Sequence, residues 1–212
     1  GFLLREEPWL FRLLLLLPGL NLLLAPVFLV GLPYLIKVHL GLSAQMYGAA
    51  EGVMGLGSVL GGVLSGPVLG RAGFRRSHRF LAGSSLLLLP IAAALFLEIP
   101  ALGTYGVILV CVLLGLACVM LFNIAAQTFF QQVTPPHLMG KTAAFISAIS
   151  TCAVPLGQAL YGVAFDLLQT QVWLPVVLGA AAGLLLSLAA FQIFAVPVIL
   201  LKVWGFPLIV KG

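Results

Sequence analysis

The sequence predicts an all-α membrane protein with six transmembrane helices. Three observations carry that expectation. Of the 212 residues, 62% are hydrophobic and only 7% are charged. A soluble domain carries about 45–50% apolar and about 25% charged residues. The mean hydropathy is +1.23, so lipid, not water, is the expected solvent. The apolar residues also gather into six runs, and a helix needs roughly 20 of them to cross the hydrocarbon core.

The runs follow in order, each bounded by turn or charge signals. The first covers 10–36 and is too long, with five more behind it, to be a cleavable signal peptide. "VHLGLS" (38–43) leads to the second, 44–69. The basic turn "GRAGFRRSHR" (70–79) precedes the third, 80–97, and "EIPALG" (98–103) precedes the fourth, 104–133. "TPPHLMG" (134–140) opens onto the fifth, 142–167, and "LQTQV" (168–172) onto the sixth, 173–194. No connection is long enough for a soluble domain. The last stretch, 195–212, is interrupted by Pro197, Gly205 and Pro207 and reads as an interfacial tail, not a seventh span.

Charge sets the expected orientation. Cytoplasmic loops carry an excess of Lys and Arg. With the N-terminus inside, Arg5, Arg12, Arg71, Arg75, Arg76, Arg79, Lys141, Lys202 and Lys211 all fall inside and Lys37 alone falls outside. Both termini are therefore expected in the cytoplasm. The net charge of +5 comes from these turns and has no aromatic interleaving, so anionic headgroups are the expected partner and nucleic acid is not.

Polar residues inside spans are expensive and often functional. Asn123, Gln127 and Gln131 recur at intervals of four in the fourth run and form one carboxamide stripe. Amides both donate and accept, so such a stripe suits varied substrates; it also suits hydrogen bonding between helices. Asn21 stands between Pro18 and Pro26 in the first run. Glu51 lies well inside the second, where a carboxyl serves either as a proton carrier or as a structural acid near Lys37 and His39. Gly57, Gly61 and Ser65 make a small-residue stripe in the second run, with Gly157 and Gly162 in the fifth. Such residues let helix backbones approach closely in lipid.

No nucleophile motif, phosphate loop or HExxH is present, so no enzyme activity is expected. Cys111, Cys118 and Cys152 fall inside spans without CxxC spacing, and His39, His78 and His137 are scattered over turns. Neither a metal site nor any other cofactor is expected.

"GPVLGRAGFRR", from Gly66, resembles the loop signature of the major facilitator superfamily. Gly66, Arg71, Gly73 and Arg75 match it; Gly70 and Phe74 depart from it, standing where the family has Asp and Arg. The resemblance runs over about residues 5–194. "REEPWLFRLLLL" resembles the linker entering helix seven. "LPYLIKVHLGLSAQMYGAAEGVMGLGSVLGG" resembles helices seven to eight of exporters of the enterobactin and macrolide type. "QTFFQQVTPPHLMGKTAAFISAIS" resembles the turn from helix ten to eleven, with Lys141 in place of Arg, and "VPLGQALYGVAFD" resembles helix eleven.

The resemblance implies the C-terminal six-helix half of a twelve-helix transporter, in the cell (inner) membrane. Its partner would be the N-terminal half, or a second copy of this chain. A chain that begins with Gly1 fits an incomplete product, and no internal repeat is evident. Helix ten lines the family's central cavity with helix seven, which makes Asn123, Gln127, Gln131 and Asn21 candidates for contact with a small-molecule substrate. Helices eight and eleven meet the other half, so the glycine stripes read as an inter-half surface. The expected function is secondary export of amphipathic small molecules by alternating access. A half-size homodimer and a non-transporting membrane scaffold remain as alternatives.

Overall fold

In the computed structural model, residues 8–72, 76–134 and 136–203 are described. They form six helices long and apolar enough to cross a membrane, and no strand. The fold is the all-α membrane bundle expected.

Local chemistry explains each break. The first span is α-helical over Pro8–Leu23, then π-helical over Val27–Gly31 and Tyr34–His39. Pro26 and Pro33 each sit at the N-terminal boundary of a π-helical segment. Proline has no N–H and its ring crowds the carbonyl four residues back, which forces the ladder to rearrange. Gly41 turns the chain with φ +63°, a conformation suited to glycine. Ser43 then caps the second span, Ala44–Ala72: its Oγ accepts from the Met46 N–H at 3.3 Å.

The third span is broken in two, His78–Leu86 and Leu88–Phe96. Pro90 lies four residues after Leu86 and removes the donor that would continue the ladder. The fourth, fifth and sixth helices run over Ala101–Val133, Pro136–Leu167 and Trp173–Val203. The sixth continues to Val203, so the first part of the expected tail prolongs a helix; 204–212 lie outside the described residues.

Packing follows a two-fold order. The second span packs on the fourth and the fifth on the first; the third packs on the fourth and the sixth on the first; the third and sixth pack on each other. Exchanging the first three spans with the last three leaves this set unchanged. Units of three helices related this way have opposite topology in the membrane. The sequence showed no such repeat, because apolar side chains substitute for one another in lipid and erase the similarity.

Glycines mark the two equivalent seams. A Cβ at Gly57 would sit 2.5 Å from the Leu113 carbonyl oxygen, and one at Gly61 2.5 Å from that of Ala117. In the other seam a Cβ at Gly157 would collide with the Leu22 carbonyl and the Pro26 ring. The centre is dry: Val27, Phe28, Ile91, Ile108, Val112 and Val176 surround a void of about 10 Å³, no larger than a single water needs. Outside, leucines such as Leu56, Leu160 and Leu188 are each at least 60% exposed. Apolar exposure on this scale belongs in lipid or against another membrane helix.

Candidate functional site

The seam between first and fifth spans is built around a deliberate gap. Pro26 cannot donate to the Leu22 carbonyl, and the Val27 N–H bonds to Leu24 instead of Leu23. Gly157 brings its Cα against the freed Leu22 oxygen. Tyr161 Oη donates to the freed Leu23 carbonyl at 2.9 Å. Further along, Tyr34 stacks on Phe165 at 4.9 Å and donates to its carbonyl. A strongly interrupted helix is thereby kept satisfied by its neighbour, as irregular backbone in lipid requires.

Asn123, Gln127 and Gln131 are all exposed on the fourth span. None of the three makes a side-chain hydrogen bond among the described residues. The arrangement is therefore a row of free donors and acceptors along one surface of the bundle. Asn21 is different: it is half-buried, and its Nδ2 donates to the Leu17 carbonyl of its own helix at 3.1 Å. The structure does not bring it to the amide row.

Glu51 is exposed and accepts a 2.6 Å hydrogen bond from Tyr47 Oη. The Lys37 ammonium lies 4.1 Å from the centre of the Tyr47 ring. Tyr105 Oη ties the fourth span to this end by donating to the Met46 carbonyl at 2.8 Å. Gly57 sits beside Leu113; Glu51 is six residues to one side of that level and Asn123 ten to the other. At 1.5 Å per residue the two are about 24 Å apart along the bundle, so no single pocket contains both.

The small residues also sort by place. Gly57, Gly61 and Gly157 are buried inside this six-helix unit, so their close approaches are to its own first and fourth spans. That corrects the expectation that they meet another half: the equivalent-helix packing consumes them. Ser65 donates to the Gly62 carbonyl of its own helix. Gly162, and on the second span Gly48, Gly52, Gly55, Gly62 and Gly66, have nothing within 4 Å of a Cβ position.

In the loop motif, Gly66 is exposed on the second helix and the Arg71 backbone is helical; Gly73 and Arg75 lie outside the described residues. Among the described residues no group of three or more His, Cys, Asp or Glu could hold a metal. Tyr34, Tyr47, Tyr105 and Tyr161, which organise both seams, were not singled out in the sequence. Their signal was the presence of phenols near helix-breaking prolines and span ends.

A bundle of six apolar spans, built as two three-helix units, defines a multi-pass membrane protein. A family model, Major Facilitator Superfamily, matches residues 2–158. The chain belongs to that superfamily and is a membrane transporter protein. No curated protein and no solved structure matches it.

Proposed function

We propose that the chain forms one six-helix half of a secondary active transporter that exports amphipathic small molecules by alternating access. Asn123 and Gln127, with Gln131 nearer the helix end, form part of its substrate path. The single observation that carries this reading is the unsatisfied amide row. Three uncharged polar side chains exposed in lipid would be unfavourable, and here no neighbouring helix satisfies them among the described residues. A water-filled cavity between this unit and another gives them solvent and substrate to bond.

The dry centre points the same way. Substrate cannot pass through this unit, so it must move along a face. Alternating access rocks one bundle against another around a shared site, which calls for a second six-helix half or a second copy. The second and fifth spans, each 11% buried, present the surface such a partner would cover. The charge pattern supports an orientation with both termini in the cytoplasm and a location in the inner membrane. The resemblance to enterobactin and macrolide exporters supports the direction of transport.

The experiment replaces Asn123 and Gln127 together by Leu and measures efflux of fluorescent amphipathic dyes per folded molecule. Leu favours insertion, so the spans form. Each lost hydrogen bond contributes about 0.5–1.5 kcal/mol, and two losses weaken apparent affinity by roughly 5- to 150-fold. Unchanged affinity and turnover per folded molecule would remove both residues from the path.

Glu51 suits an end clamp better than a proton carrier in this reading. It is bonded to Tyr47 and far from the amides. Glu51→Gln is expected to retain transport driven by a pH gradient; its abolition in well-folded protein would assign Glu51 to coupling instead.

A further inference from the structure

At the bundle end opposite the amide row, the turns after the first, third and fifth spans form a half-open cleft of about 430 Å³. Its volume lies in the range of small-molecule sites, about 300–1,000 Å³. His39, Phe96, Glu98, Thr104, Thr170 and Trp173 line it. Thr104, on the same helix as Asn123, is 19 residues away, about 28 Å along the axis.

Five features give this cleft a definite chemistry. Phe96 and Trp173 meet edge to face, with centroids 5.4 Å apart at 80°, and form an aromatic wall. Thr104 Oγ1 donates to the Ile99 carbonyl at 3.0 Å and is spent on holding that turn. Glu98 alone among described non-glycine residues has positive φ, at 50°; it ends the third span in a left-handed cap closed by the Ile99 N–H on the Ala94 carbonyl, which fixes the carboxylate at the rim. Neither the Glu98 carboxylate nor the His39 imidazole has a side-chain partner among the described residues. No lysine or arginine lines the cleft; Lys37, two residues before His39, is directed to the Tyr47 ring.

We propose that this cleft is a binding site for a small organic ammonium ion carrying an apolar or aromatic body. The ammonium donates to the Glu98 carboxylate. The apolar body packs against the Phe96 and Trp173 rings. Its lining groups all lie at the bundle end opposite Asn123 and Gln127, apart from the proposed transport path.

The test is calorimetric titration of the full protein in lipid nanodiscs with benzylammonium as probe and benzyl alcohol as its neutral counterpart. Saturable binding of benzylammonium is expected, with benzyl alcohol weaker by about tenfold or more, as loss of a charge-assisted hydrogen bond implies. Glu98→Gln should weaken benzylammonium by a similar factor. So should Glu98→Gly, a variant that fits the positive φ and keeps the fold, while Glu98→Asp retains binding. The Asn123→Leu, Gln127→Leu double variant should keep the Glu98-dependent part of benzylammonium binding, which separates this site from the transport path. The proposal is overturned if benzylammonium gives no saturable heat, if benzyl alcohol binds equally well, if both carboxylate-free variants bind like the parent, or if the double amide variant abolishes binding.

Discussion

Tyr161 fills the gap that Pro26 opens. Its hydroxyl is the donor for the Leu23 carbonyl, so Tyr161→Phe leaves that oxygen unpaired at a point where lipid offers no substitute. Interhelical hydrogen bonds in membranes contribute about 0.6 kcal/mol on average and up to about 1.7. Tyr161→Phe is expected to lower the melting temperature in detergent by a few degrees, at about 2–4 °C per kcal/mol for a chain of this size. An unshifted transition would show that the carbonyl finds another donor. Gly57 makes the same kind of point sterically. A methyl there meets the Leu113 backbone at 2.5 Å, and overpacking costs about 1–3 kcal/mol. Gly57→Ala should therefore destabilise the bundle, whereas Gly52→Ala, with nothing within 4 Å, should leave the stability of this unit unchanged. At this scale the sequence was half legible. The interval of four displayed the amide row directly, and the exposed side chains agree with it. A tyrosine in an apolar run, however, does not disclose which carbonyl it reaches.

The six spans were legible, but their internal breaks were not. The first and third runs read as unbroken and 134–140 as a turn, whereas π-helical segments follow Pro26 and Pro33, a break falls at Leu87 before Pro90, and the fifth helix starts at Pro136; Pro18, Pro67 and Pro155 stay inside helices. What the sequence could not disclose was the neighbour each face meets. The stripe of Gly57, Gly61 and Ser65 is visible in one helix, but the carbonyls of Leu113 and Ala117 that it receives are on another. The second face of the same helix, with Gly52, Gly55, Gly62 and Gly66, is open. Orientation belongs to this scale too. In a protein whose Cys111, Cys118 and Cys152 have been replaced, a cysteine at exposed Arg76 should resist an impermeant thiol reagent applied to intact cells. One at exposed Thr170 should react. Ser77 is unsuitable for this purpose because it is buried. Labelling of the Arg76 site from outside would reverse the topology.

For the whole molecule, hydropathy disclosed the class and the turn motifs disclosed the family, but the internal two-fold order appeared only in the packing. Its physical consequence is functional. The equivalent seams, second span on fourth and fifth span on first, leave the middle of the unit filled and the carboxamides of Asn123, Gln127 and Gln131 on the outside. Such a body works as a wall. The most direct measurement places a single cysteine at Asn123 in the assembled transporter and follows its reaction with an impermeant thiol reagent, with a cysteine at Leu188 as the lipid-facing comparison. If Asn123 borders an aqueous substrate path, its cysteine reacts, saturating transported dye slows the reaction several-fold, and the Leu188 cysteine stays unreactive. A cysteine at Asn123 as inert as that at Leu188, or one whose rate ignores saturating dye, contradicts the account.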